Sequence, residues 1–204
     1  MPTLAALGLE VDLAVTPWAY PGPRAPFPGV LRGDAFDQLS VAQLDGLATG
    51  REVVVAVGCN GAPAVLRTKL RVLDGPQAVP MVPGTVANLG VGCSAHVSIR
   101  GYVAAAPFHA PGRTSPIVAL WLDAAQLAVV DATEPNYARQ LVRASDYPLE
   151  LAVAGLPDRF WLYESNWGLL RDGSGIVGLG RQDELLALQR AAREPAASGL
   201  QTGG

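Results

Sequence analysis

Charge is scarce in this chain. Asp, Glu, Lys and Arg make up only 16% of its 204 residues, and the formal net charge is −3. So slight an acidic balance implies no basic face, and nucleic acid is not expected as a partner. Cysteine is scarcer: Cys59 and Cys93 are the only two. Two cysteines make no disulfide framework in a chain of this length, and a reduced, intracellular setting is expected. Long apolar runs are missing too. Val53 to Val57 meets Gly58 and Asn60 at once, and no run approaches the length of a bilayer crossing, so no membrane span is expected. The start, Met1-Pro2-Thr3, reaches Glu10 and Asp12 before any basic residue. That lacks the positive start of a secretory leader, and the expected location is cytoplasmic.

What is present is apolar material and punctuation. Hydrophobic residues reach 50%, enough for a sizeable core, alongside 23 glycines and 17 prolines. The first 33 residues read as irregular, broken by Trp18-Ala19-Tyr20-Pro21-Gly22-Pro23 and by Pro26-Phe27-Pro28-Gly29. Residues 1–50 are therefore assigned to an extended arm and a short helix, capped by Ser40. Residues 51–193 form the domain, and 194–204 a fraying tail. Glu52 to Val57 is the clearest strand, apolar on both faces and so central. The turn Gly58-Cys59-Asn60-Gly61 follows, then a short helix from Pro63 to Leu70.

Four strands are predicted between Val79 and Leu122, divided by glycines: 79–86, 93–97, 102–108 and 117–122. Asp123 caps a helix to about Asp131. Short strands near Gln140–Val142, Leu149–Val153 and Phe160–Glu164 come next, and an amphipathic helix runs from Gln182 to Arg193. This order is no regular βαβ alternation. It predicts an α+β protein with a mixed β-sheet curled into a small barrel and a few short helices outside.

Two segments carry chemistry. Val57-Gly58-Cys59-Asn60 lies between a buried strand and a helix. Backbone N–H groups in such a turn point outward and can cradle a carboxylate, with the field of the following helix adding to them. Further on, Leu127-Ala128-Val129-Val130-Asp131-Ala132-Thr133-Glu134-Pro135-Asn136-Tyr137-Ala138-Arg139 sets an acid at the end of an apolar helix. Taken together they resemble the γ-glutamylcyclotransferase superfamily, which has Tyr-Gly-Ser-Asn at the first place and a glutamate followed by tyrosine and arginine at the second. Ser94-Ala95-His96-Val97-Ser98-Ile99-Arg100-Gly101-Tyr102 resembles a strand of its bacterial members. The likeness covers 53–189, about two thirds of the chain.

The resemblance implies an intramolecular acyl transfer. A γ-glutamyl amide or amine closes to 5-oxoproline, with Glu134 as general acid and base. Val57, Gly58, Cys59, Asn60 and Tyr137 bind the substrate, and no metal or cofactor is needed. The expected partner is this small γ-glutamyl compound; a homodimer stays open. Val57 and Cys59 depart from the family's tyrosine and serine, removing one aromatic wall and a strong hydroxyl donor. The alternative is a non-catalytic binding module on the same fold.

Other constellations read as structure. Cys59 with His96 or His109 could be a nucleophile and its base, but an inert cysteine is the commoner fate. Cys93 and His96 lack further closely spaced zinc ligands. His96 reads as a core or rim residue and His109 as a solvated loop residue. Gly175-Ile176-Val177-Gly178-Leu179-Gly180 has the wrong order for a nucleotide loop and reads as strand and turn. Trp161, Tyr163 and Trp167 read as core packing, or else as the lining of a ligand cleft.

Overall fold

The proline-punctuated start of the chain contributes strands. In the computed structural model, which describes residues 1–75 and 77–192, β1 (Gly29–Arg32) and β2 (Ala35–Gln38) form a hairpin that joins the main sheet through β1. This corrects the irregular arm expected over the first 33 residues. Each strand is four residues long, too short for a two-residue period to stand out against the prolines. Before the hairpin the chain is mostly irregular, with one 3₁₀ turn at Pro17–Ala19. It still buries Leu4, Leu9, Leu13, Tyr20 and Ala25.

Helix α1 (Val41–Ala48) begins at a capping box in which Ser40 and Gln43 each satisfy the other's backbone N–H. Strand β3 (Glu52–Ala56) and helix α2 (Pro63–Leu70) follow, with Pro63 in the first helical turn. Next come β4 (Ala78–Val97) and β5 (Val103–Leu122), each continuous over 20 residues. Four separate strands were predicted here. The glycines do not end them: a Cβ at Gly90 would run into the Phe108 ring of the paired strand, so this glycine makes room for a cross-strand aromatic. His109 consequently lies in β5, exposed and 3.1 Å from the Tyr147 hydroxyl, rather than in a loop.

Helix α3 (Ala124–Ala132) starts at a second capping box, between Asp123 and Gln126. Strands β6 (Tyr137–Arg143), β7 (Leu149–Leu151) and β8 (Arg159–Ser165) follow. The glycine-rich stretch forms a two-residue hairpin, β9 (Arg171–Asp172) and β10 (Gly175–Ile176), before α4 (Gln182–Ala191). The predicted end of this helix at Arg193 and the tail 194–204 lie outside the described residues.

The fold is α+β. One mixed sheet has the order β2-β1-β4-β5-β3-β8-β6, with β7 added beside β4. Strand β3 sits between β5 and β8, antiparallel to the first and parallel to the second. The sheet is not closed into a barrel, because no ladder among the described residues joins β6 back to another strand. Side chains span that gap instead. The Tyr137 hydroxyl on β6 donates to Ala105 O on β5 (2.9 Å), and Ser165 Oγ on β8 lies 2.6 Å from Ser94 Oγ on β4.

Alternation along β3 divides the core. Val53 and Val55 face one cluster with Val82, Ile117 and Phe160, while Val54 and Ala56 face another with Met81, Leu120 and α2's Leu66. Both faces are therefore buried, as a two-faced apolar strand requires. The aromatics of the C-terminal region are not one packed group. Trp161 lies beneath the Arg139 guanidinium (4.2 Å) and donates to Glu52, and Trp167 is 57% exposed.

Candidate functional site

Glu134 is delivered by the end of α3 and a tight turn. Tyr137 N donates to Glu134 O (3.0 Å), closing a four-residue turn with Pro135 at its second position, where proline presets φ. The turn points Glu134 and Tyr137 into one cavity of about 120 Å³. That is of the order of the roughly 150 Å³ that accepts a benzene-sized ligand. Gly58, Cys59 and Asn60 line the same space, with Val57 beside them. The two segments singled out in the sequence thus share a wall, although 74 residues separate Asn60 from Glu134.

The contact between them is specific. Glu134 Oε1 accepts from Asn60 Nδ2 (2.9 Å) and from Lys69 Nζ on α2 (2.6 Å). The Lys69 and Glu134 side chains are 13% and 14% exposed, so the ion pair is largely removed from water. Oε2 has no protein partner among the described residues and is not fully buried, in a residue that lines the cavity. A 3₁₀ turn over Cys59–Gly61 leads into α2. Within it the Gly61 and Ala62 amides bond to Gly58 and Cys59 carbonyls, while those of Cys59 and Asn60 have no protein acceptor among the described residues. Free amides at a helical start favour a carboxylate or an oxyanion. Asn60 Oδ1 is buried and unpaired.

Sequence reasoning missed several residues of this cavity. Lys69 is the chain's only lysine, a signal available in the sequence. Tyr20, Tyr102, Tyr163 and His96 also line the space, so four of the chain's five tyrosines meet there. Burial pushes all four phenols well above their ordinary value, which keeps them neutral and able to donate. Tyr20 comes from the arm and had no local signal. It stacks on Tyr102 with centroids 4.4 Å apart. Its neighbour Arg24 donates to Val57 O (2.5 Å) and Pro116 O (2.9 Å), tying the arm to the end of β3. At the mouth, residues 98–102 connect β4 to β5, held by Ser98 N to Tyr102 O (2.8 Å), and present Ile99 fully exposed beside Arg100.

Gly58 is a glycine for closeness, not for φ, which is −116°. A Cβ there would lie 2.5 Å from Tyr20 Oη and 3.3 Å from Ala105 Cβ. Gly58→Ala is expected to cost about 1–3 kcal/mol by overpacking. Adding Tyr20→Phe removes the nearest clash, so the double variant should lose less than the sum of the two. Denaturant unfolding of the four proteins gives the coupling, and strict additivity would contradict the contact.

His96 is 9% exposed, with Nδ1 2.6 Å from Ser94 Oγ. Ser94 reaches Ser165 Oγ, which accepts from Trp167 N (3.1 Å). The ring stands edge-on to Tyr137 and roughly parallel to Trp167. Burial lowers its pKa, with nearby Glu134 opposing in part. The unfolded chain therefore binds a proton at higher pH than the folded chain does. Stability from this group is complete above the ordinary histidine range and is lost as pH falls through it toward the depressed folded value. Urea midpoints for the wild type should fall between pH 7.5 and 5 by more than those of His96→Phe; equal shifts would exclude a buried neutral His96.

Neither histidine bonds the Cys59 thiol, and burial raises the thiol pKa despite Lys69 nearby. The nucleophile arrangement is therefore missing its activated thiolate. Cys93 and His96 are engaged separately, the first with Gly178 O (3.2 Å) and the second with Ser94.

The architecture and cavity define an α+β protein with a mixed sheet and one tyrosine-rich site around an acid–lysine pair. No family model and no curated protein matches the chain.

Proposed function

We propose that this chain is a γ-glutamylcyclotransferase-like acyl-transfer enzyme that closes a γ-glutamyl amide or amine to 5-oxoproline. The observation that carries the reading is Glu134, held by Lys69 and Asn60 through Oε1, with Oε2 unpaired, on a cavity that the Cys59 and Asn60 turn also lines. In the reaction the substrate's α-amino nitrogen attacks its own γ-carbonyl carbon. A C–N bond forms within the ring and the C–N bond to the outer amine breaks. Glu134 Oε2 takes the proton from the attacking nitrogen and returns it to the departing one, so no water, metal or electron carrier is consumed. The turn amides hold the anionic oxygen, and fixing one folded conformer of the substrate supplies much of the acceleration. The curled sheet, barrel-like where Tyr137 reaches Ala105, forms the wall around that conformer.

A second reading, a binding module without turnover, is favoured by two observations. Lys69 already neutralises Glu134, and Val57 and Cys59 stand where the resembled family has tyrosine and serine. A panel of γ-glutamyl amides and amines assayed for 5-oxoproline separates the two. Release of 5-oxoproline with the free amine supports the enzyme; binding without turnover supports the module.

A further inference from the structure

The arm lies outside the segment that carries the family resemblance, yet it supplies a wall of the cavity. Tyr20 Oη accepts from Ala105 N (2.7 Å) and sits directly over Gly58. The same Ala105 peptide receives the Tyr137 hydroxyl on its carbonyl (2.9 Å). Tyr137 has therefore spent its proton on the protein. Tyr20 has not: its hydroxyl accepts, and its own O–H has no acceptor among the described residues. Its phenol stays protonated because burial raises its pKa. The side chains of the turn itself are poor donors. Val57 offers no polar side-chain atom, and Cys59 offers only a weak S–H donor. Next to them the Cys59 and Asn60 amides are also free.

We infer that Tyr20 is a ligand-contacting residue of this site, its hydroxyl donating to the carbonyl or carboxylate oxygen that the Cys59 and Asn60 amides hold. The N-terminal arm thereby completes the cavity from a distant part of the chain. The ring stacked on Tyr102 and the Arg24 bonds to Val57 O and Pro116 O fix where that hydroxyl lies. Arg24 acts as a positioning residue through the arm. This inference rests on the proposed cavity ligand, though not on turnover.

The test uses the full chain and Tyr20→Phe, which keeps the stacked ring and removes only the hydroxyl. Two measurements are made: 5-oxoproline release from the γ-glutamyl panel, and binding of 5-oxoproline and glutarate by NMR titration. If the wild type turns substrate over, Tyr20→Phe should lower kcat at least tenfold with KM changing less. Unchanged kinetics would overturn the inference while the enzyme reading stands. If the wild type binds 5-oxoproline or glutarate without turnover, a tenfold or greater loss of affinity in Tyr20→Phe supports the inference while the enzyme reading fails. Equal affinity overturns it. Should Tyr20→Phe not fold, contacts seen by NMR between bound 5-oxoproline and the Tyr20 ring of the wild type decide. Their presence supports the inference, and their absence from a bound ligand overturns it. A wild type that binds none of these probes in the cavity overturns both.

Discussion

Glu134→Gln is expected to lower 5-oxoproline formation by about 10²–10⁴-fold while leaving a folded protein. The amide oxygen of glutamine can still accept from Lys69 and Asn60, so the contacts at Oε1 survive. What changes is the open position: a carboxylate oxygen able to take a proton becomes an NH₂ group that cannot. Near-UV circular dichroism should match the wild type, which ties the loss to chemistry. Equal turnover in both proteins would remove Glu134 from the mechanism. The Asn60 carbonyl oxygen is buried and unpaired in the present arrangement. That arrangement sets the amide NH₂ toward Glu134, as an ionised carboxylate demands.

Lys69→Met should have the largest effect on stability. It leaves the Glu134 carboxylate enclosed with only Asn60 as partner. Breaking a buried pair from one side costs about 3–5 kcal/mol. A cavity that admits water holds this case near the lower end, about 3 kcal/mol, or roughly a 6–12 °C fall in Tm for a chain of this size. Adding Glu134→Gln removes the stranded charge, so the double variant should regain stability relative to Lys69→Met. A Tm within 2 °C of wild type for the single variant, with no coupling in the cycle, would mean that the ion pair is not formed in solution. Turnover in the proposed reaction should also fall at least tenfold, because the lysine holds the Glu134 carboxylate in place.

How far the sequence anticipates this molecule depends on the range of the interaction. Local chemistry reads well. The Ser40 and Asp123 caps, the start of α2 at Pro63 and the central place of β3 follow from residues within a few positions of one another. The meeting of Glu134 with the Gly58–Asn60 turn could be anticipated only through the order of two motifs in a resembled family. Composition and periodicity say nothing about which loops converge. Glycines misled where their purpose is cross-strand: Gly90 marks a ring packed above it, not a strand end. The barrel expected from the order of elements does not close among the described residues: β6 reaches across the gap by a tyrosine hydroxyl rather than a ladder. Tyr20 was illegible as a site residue for the same reason, and Lys69 stood out only as the chain's single lysine, with nothing to say what it meets. Their partners lie 85 and 65 residues away, and no short-range pattern announces them.

The crossing between β4 and β5 has an evolutionary corollary. Ile99 and Arg100 ride on the outward tip of a five-residue bend whose last residue, Tyr102, is held by its stack on Tyr20. The tip's length and character can drift without disturbing the acid–lysine pair beneath. Descendants of such a scaffold could therefore change what meets the cavity mouth by editing the tip of a single outward bend.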